Sequence, residues 1–460
     1  MKIATLFVLA ILVREAFSFW TGHPYDFELW VRTGYWVARG TSPYQYVPFA
    51  PGVSFADDFF PGGAPAIAYL PFWPLLLGGL YGIYAFLGSP SPLVYYFLIK
   101  QPIIICDVLV AYFLYRYLKR RGSDKASLVL KIWLFSPFNI LLSGIWGMFD
   151  SIPVLFVVLA LAAQPGTRRG VWAGIATFVK SIPIIYTIPL VRGPKPFRNL
   201  ALALGIPVVS SLLIVWLTGW SFSVFGSTLQ STLGTGRLSL SLWEIIFYLN
   251  YIGAVPDSAL GFFSWAGYIW IAAVAIATIL GYKWFGFDTE RGIIQSLILI
   301  TLAFLLLRGQ VNEQYAMYLF ALALIDIAMW SPQRRKLFVA SVAAVMMFHL
   351  TNDVLLLRYV APVFPQALTV EANVIAAFNP ERNALLFLEA MGFWVLNIYY
   401  FYGLFKERVK GNSRSMGQVL GRFPGADVAH FTSSLRESVL LENRDPRRRQ
   451  PRNGNAERGC

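Results

Sequence analysis

The chain is 460 residues long and 57% hydrophobic, with 16% aromatic and only 13% charged residues, far from the roughly one-quarter charged share of soluble domains. That composition does not fit a soluble enzyme. A net charge of +14 would suggest nucleic acid in a soluble chain, but here the basic residues cluster in short loops and a tail, as topology determinants do, which argues against nucleic-acid binding. Cys106 lies in an apolar run and Cys460 at the terminus, which builds neither a disulfide framework nor a metal site and leaves the redox compartment open.

Taken in chain order, Met1 to Trp20 is expected to be a first membrane helix rather than a signal peptide, since Arg14-Glu15 interrupt its apolar core and no small-residue cleavage site follows. The next stretch, His23 to Tyr44, predicts a short amphipathic helix at the membrane surface. Phe27, Trp30, Val31 and Tyr35 return to one side, and Gly40-Thr41-Ser42-Pro43 ends it. Asp26 and Glu28 stand near its positive N-terminal end, where an acid serves either as an ordinary cap or as a catalyst. Hydrophobic segments of spanning length follow at about 93–115, 127–145, 199–218, 258–282, 291–307, 315–330, 337–350 and 385–405, with a shorter one at 151–163.

Two further stretches are interrupted. Residues 64–88 carry Pro71, Pro74, Gly78 and Gly79, and residues 170–191 carry Lys180 and Pro183. The basic clusters Arg116 to Lys125, Arg168-Arg169, Arg192 to Arg198, Arg334 to Lys336 and Lys406 to Lys410 all belong on one side by the positive-inside rule. That arithmetic makes 64–88 an interfacial or re-entrant continuation of the first outer loop. It makes 170–191 a pair of half-helices that enter and leave on the inner side with Lys180 near the turn. Asp26, Glu28, Asp150, Lys180, the loop from Trp220 to Pro256 and the turn Arg308 to Tyr315 then share one outer face.

Several motifs on that face fit sugar and phosphate chemistry. In Trp146-Gly147-Met148-Phe149-Asp150, the acid either caps the next helix or contacts a ligand, and an acid at that depth is costly without a partner. Lys180, beside Ser181 and ahead of Pro183, either snorkels or binds a phosphate. In Arg308-Gly309-Gln310-Val311-Asn312-Glu313-Gln314-Tyr315, the amides Gln310, Asn312 and Gln314 suit sugar hydroxyls, Tyr315 suits a pyranose face, and a solvated hairpin is the plain alternative. Arg237 is a further outer cation. His349 and Asp353 lie near the outer end of a helix, but two residues do not make a metal site. No Walker loop, GxGxxG or HExxH pattern is present.

The order of these motifs resembles the multi-pass mannosyltransferases of the GT-C class, closest to the PIG-M type that adds the first mannose of GPI anchors, and their archaeal relatives. The resemblance runs over about residues 20 to 320. It rests on Asp26 through Pro43-Tyr44, Lys100 through Asp107 to Tyr115-Arg116, Leu134-Phe135-Ser136-Pro137-Phe138 with Asp150-Ser151-Ile152, Lys180 to Pro189, and Asn312 to Tyr318. It implies an all-α polytopic membrane protein with a GT-C-like bundle of roughly ten to twelve membrane segments. The expected divisions are a catalytic module over 1–218, further membrane helices with outer loops over 219–410, and a basic, disordered inner tail over 411–460, either solvated or in contact with anionic headgroups.

The implied activity is inverting transfer of a hexose, most simply mannose, from a polyprenyl or dolichyl monophosphate sugar to a lipid-linked or protein-linked acceptor on the outer or lumenal face of a prokaryotic plasma membrane or the ER. Asp26 is expected to be the base. Lys180, Arg237 and Arg308 would hold the donor phosphate, and Glu28, Asp150, Gln310, Asn312, Gln314 and Tyr315 would contact sugar or acceptor. PIG-M enzymes carry D-x-D in the first loop, whereas this chain has Pro24 where the first Asp would be. A divalent metal is thus the only cofactor in view, and the incomplete pattern weighs against it; Glu28 is the second acid available. The competing classes are a lipid or small-molecule transporter or flippase, with Asp150 and Lys180 as gating charges, and a non-catalytic membrane subunit.

Overall fold

A computed structural model of the protein describes residues 2–54, 60, 63–231, 239–258, 260–261 and 268–420, with side chains described as far as 407. Among the described residues every regular element is helical, and one isolated antiparallel bridge joins Val47 to Ala64. The protein is an all-α polytopic membrane protein. In chain order the α-helices are α1 (Ile3–Ser18), α2 (Pro24–Val37), α3 (Phe72–Phe86), α4 (Pro92–Arg120), α5 (Ala126–Phe135), α6 (Pro137–Ile140), α7 (Ser151–Ala162), α8 (Thr167–Val179), α9 (Thr187–Val191) and α10 (Pro196–Leu217). They continue with α11 (Phe222–Ser231), α12 (Glu244–Tyr251), α13 (Ile269–Phe285), α14 (Glu290–Leu307), α15 (Ala316–Met329), α16 (Arg335–Asn352), α17 (Gln366–Ala377) and α18 (Asn379–Leu420).

Length decides which of these can cross a bilayer of roughly 30 Å at 1.5 Å per residue. Among the described residues, Pro92–Arg120, Pro196–Leu217, Glu290–Leu307 and Asn379–Glu407 are long and apolar enough singly, and the number reaches six when each of the bent pairs Ala126–Phe135 with Pro137–Trp146 (47°) and Pro332–Asn352 with Val354–Val360 (64°) is taken as one span. The other apolar helices, among them Phe72–Phe86 and Ser151–Ala162, are shorter. The membrane segments expected from hydropathy therefore divide into full-length and half-length helices, because prolines and polar groups break the apolar runs.

Two such breaks shape the functional end. At Ser136-Pro137 the chain turns, and Leu141–Trp146 forms a π-helix that stops at Gly147 in the left-handed conformation (φ +83°). Between α8 and the 3₁₀ turn Ile182–Tyr186, Lys180 is extended. The half-helices return to the end they came from: Arg198 hydrogen-bonds the Thr167 hydroxyl, and a Cβ added at Gly170 would lie 2.6 Å from the Asn199 carbonyl oxygen. That gives the pair of half-helices expected for 170–191. Helix α3, 15 residues long, is too short to cross alone; it packs along α2, where a Cβ added at Gly78 would lie 2.7 Å from the Val37 side chain, and against α4, whose Tyr95 hydroxyl donates to the Leu77 carbonyl at 3.1 Å.

Buried charges pin these elements. Arg14 of α1 meets Asp107 of α4 at 2.7 Å, and Ser143 and Trp133 donate to the same carboxylate at 2.8 Å each. Among the described residues, fully buried Lys100 has no carboxylate within hydrogen-bond distance and instead donates to the carbonyls of Thr21, Gly144 and Ile145 at 2.7–2.9 Å. Groups of this kind persist in an apolar interior only when their hydrogen bonds are made, so each fixes the relative placement of three chain segments. The chain forms two compact units, Met1–Gly403 and Leu404–Cys460. Helix α18 continues to Leu420, into the stretch expected to be disordered; the rest of that tail lies outside the described residues.

Candidate functional site

The site begins at the N-terminus of α2. His23 is the N-cap residue and Pro24 sits at the first helical position, a place that suits its missing N–H. Asp26 is thereby in the first turn and not the cap itself. Phe27, Trp30 and Val31 are fully buried, and this apolar face anchors the helix so that Asp26 points to the break after α6. There the Trp146 indole N–H donates to Asp26 Oδ2 at 2.8 Å. The Asp26 side chain remains 15% exposed. Burial pushes its carboxyl up to about 6, against the lowering effect of the Trp146 hydrogen bond and of Lys180.

His23 lies 3.3 Å from the same oxygen, but burial lowers the imidazole to about 3, so it is neutral near pH 7 and the contact is not an ion pair. Arg358 approaches His23 Nε2 at 3.5 Å. Since arginine only donates, a proton on Nδ1 lets Nε2 accept from Arg358 and Nδ1 donate to Asp26. The opposite tautomer receives the Asp26 backbone N–H at 3.4 Å instead.

A second cluster stands beside this carboxylate. Lys180 donates to Asp150 Oδ2 at 2.7 Å, both side chains almost wholly buried. The ammonium lies 4.7, 5.1 and 5.6 Å from the ring centres of Phe149, Tyr315 and Tyr69, an aromatic cage that favours a desolvated cation. The Arg308 guanidinium lies 4.9 Å from the Tyr315 ring centre. Asp150 occupies the N-cap position of α7 yet makes no capping hydrogen bond; its carboxylate serves the lysine. The Tyr318 hydroxyl stands against the Asp150 carboxylate, and Gln314 Oε1 is buried without a hydrogen-bond partner among the described residues. A buried amide oxygen left open in the turn beside a caged cation suits a polar ligand. Asp26 feels the charges of both Lys180 and Asp150, and Tyr69 those of Asp26 and Asp150, so the two clusters form one site.

A third group backs the first. The His349 ring stacks on Trp146 at 4.8 Å and contacts Glu313 at 3.4 Å and Asp353 at 3.2 Å. Tyr359 bonds both His349 (2.8 Å) and Asp353 (2.7 Å), and Arg358 bridges Asp353 at 3.1 Å and Glu371 at 2.5 Å. This network fixes the indole that holds Asp26. Trp146, Tyr69, Tyr318, His23, Tyr359 and Arg358 were not singled out as site residues by sequence reasoning. The only signal for His349 and Asp353 was their i,i+4 spacing.

Of the expected site residues, Asp26, Asp150, Lys180, Arg308 and Tyr315 come together. Gln314 is buried beside them, Asn312 is half-buried in the same turn and Gln310 is exposed. Arg237 lies outside the described residues; Ser239 is tied to the turn through a hydrogen bond from the Val311 N–H at 2.6 Å. Glu28 stands elsewhere. It is fully buried and receives Arg32 at 2.6 Å, because two residues along a helix turn about 200° and send Glu28 to the opposite face from Asp26. The residues therefore do not fit a two-carboxylate metal clamp of the D-x-E kind. Among the described residues no three His, Cys, Asp or Glu side chains gather as a ligand set.

Gly147 controls where Trp146 sits. A Cβ there would come within 2.6 Å of the Phe27 ring, at a positive φ that disfavours alanine. Gly147→Ala is expected to destabilise the protein by about 1–3 kcal/mol and to shift Asp26, lowering both the melting temperature and activity; an unchanged melting curve would contradict this packing.

No family model matches the chain. It is 24% identical over 226 residues to GPI mannosyltransferase 1 of Eremothecium gossypii, covering 46% of this chain and 55% of that protein. To GPI mannosyltransferase 1 of Saccharomyces cerevisiae it is 26% identical over 172 residues, 33% of this chain and 42% of that protein. The chain thus spans about half the length of the curated relatives it matches. The resemblance to PIG-M-type mannosyltransferases of the GT-C class stands on these relatives.

Proposed function

We propose that the protein is an inverting membrane glycosyltransferase that moves a hexose, most simply mannose, from a polyprenyl or dolichyl monophosphate to a lipid-linked or protein-linked acceptor on the outer or lumenal face. One observation carries the reading: a partly exposed carboxylate with its proton affinity raised to about 6 faces a caged lysine and an arginine across one polar site. Asp26 takes the proton from the acceptor hydroxyl as that oxygen attacks the anomeric carbon. The bond from that carbon to the phosphate oxygen breaks with its electron pair leaving on the phosphate monoester. Lys180 and Arg308 stabilise that developing charge. Asp150 keeps Lys180 charged and oriented and leaves its other two N–H donors for phosphate oxygens. Tyr69, Tyr315 and the Asn312–Gln314 amides contact the sugar. A monophosphate leaving group departs on protein cations alone, so no step in this scheme uses a metal.

The names of the relatives support mannose and a glycolipid acceptor. The pH profile tests the base. Only the ionised carboxylate accepts a proton, so kcat/KM should fall about tenfold per unit as pH drops below about 6 and level off above it. A profile flat from about pH 5 to 7 would remove Asp26 from this role.

A further inference from the structure

The far ends of the helices that build the site carry an unassigned cavity. Helix α4 has Lys100 near the site and Arg116 to Arg121 some twenty residues on, about 30 Å away at 1.5 Å per residue. Helix α7 starts after Asp150 and ends at Ala162, and α8 starts at Thr167 and ends before Lys180. Where these remote ends meet there is a cavity of about 400 Å³, lined by Arg116, Arg120, Arg121 and Arg168 together with Leu159 and Trp172. None of its lining residues is acidic.

Arg169 stands behind the cavity wall. It is only 5% exposed, and its Nη2 donates to the carbonyl of Ala163, a lining residue, at 3.0 Å. Its Nε and Nη1 have no hydrogen-bond partner among the described residues. Of these arginines, Arg121 pairs with Glu290, whose charge also reaches Arg169. Basic residues that serve only to fix topology need no burial; a buried guanidinium with orphaned donors carries a large desolvation cost unless an anion completes it. The N-terminal turn of α8, in which Arg168 and Arg169 sit, adds its dipole in the same sense.

We propose that this cavity is a phosphate-binding site for an anionic lipid headgroup, with the guanidinium groups on the phosphate and Leu159 and Trp172 against the first carbons of the lipid. Arginine forks match phosphate oxygens, and a volume of this size holds a headgroup with its glycerol. The site is independent of the transfer chemistry at the other end.

The test uses the purified full chain in discs of phosphatidylcholine with and without phosphatidylglycerol, followed by detergent exchange and mass spectrometry of retained lipid. The wild type should retain phosphatidylglycerol over phosphatidylcholine. The triple variant Arg116→Gln, Arg120→Gln, Arg168→Gln should bind it at least about tenfold more weakly, while Arg335→Gln, an exposed cation at the start of α16, should bind as the wild type does. Arg169→Gln, checked by its melting curve, should weaken binding in the same direction. Inorganic phosphate that displaces the lipid shows a site for the phosphate group as such; failure to displace shows a need for the lipid's carbons. No preference for phosphatidylglycerol in the wild type, or equal retention by the triple variant, overturns the proposal.

Discussion

Asp26→Asn is expected to lower hexose transfer by about 10²–10⁴-fold, the usual contribution of a positioned general base, while the protein stays folded. The asparagine oxygen can still accept from the Trp146 indole, so the geometry of the site survives and only the proton acceptor is lost. Stability gives a second, opposite readout. Burial raises this carboxyl from 3.8 to about 6, so the folded protein holds the proton more tightly than the unfolded chain. The fold therefore loses stability as pH rises through that window. Above about pH 6 the loss is complete, on the order of 3 kcal/mol. Asparagine does not ionise, and the variant should melt at the same temperature or higher at pH 7. Lost transfer together with a lowered melting temperature would point to a structural role, and retained turnover would end the assignment.

The second large effect is at Lys180. Lys180→Met leaves Asp150 buried at 0% exposure without its partner, a change expected to destabilise the protein by about 3–5 kcal/mol. The double variant Lys180→Met, Asp150→Leu removes both charges and should recover most of that stability, since apolar replacement of a buried pair is often near neutral. Transfer should not recover with it. Losing a cation placed on the leaving phosphate costs about 10²–10³ in rate, and the double variant isolates that loss from misfolding. Transfer restored along with stability would make the pair a structural pin, like Arg14 with Asp107.

Much of the architecture was legible because apolar runs and their breaks are local properties. The half-helices around Lys180 followed from Pro183 and from basic residues at both ends, and the short α3 from its prolines and glycines. The gathering of Asp150, Lys180, Arg308 and Tyr315 was legible only as a shared face. What sequence does not carry is which groups satisfy one another across the fold. Trp146 reaches Asp26 over 120 positions, and Arg358 reaches His23 over 335; no spacing rule connects them. Glu28 is the instructive miss. Its i,i+4 partner Arg32 was in plain view, and that helical spacing favours an ion pair over a ligand contact. The arginines near Arg116 and Arg168 were read as topology signals, since only burial separates Arg169 from its exposed neighbours.

The proposed activity is the transfer of one hexose from a polyprenyl monophosphate donor at this site. It is tested most directly by mass spectrometry of lipid-linked and protein-linked glycans from cells lacking the protein and from cells given back the wild type or Asp26→Asn. The account predicts a glycan short by one hexose in the deletion, restored by the wild type and not by Asp26→Asn. Glycans unchanged by the deletion, or restored equally by both forms, would contradict it.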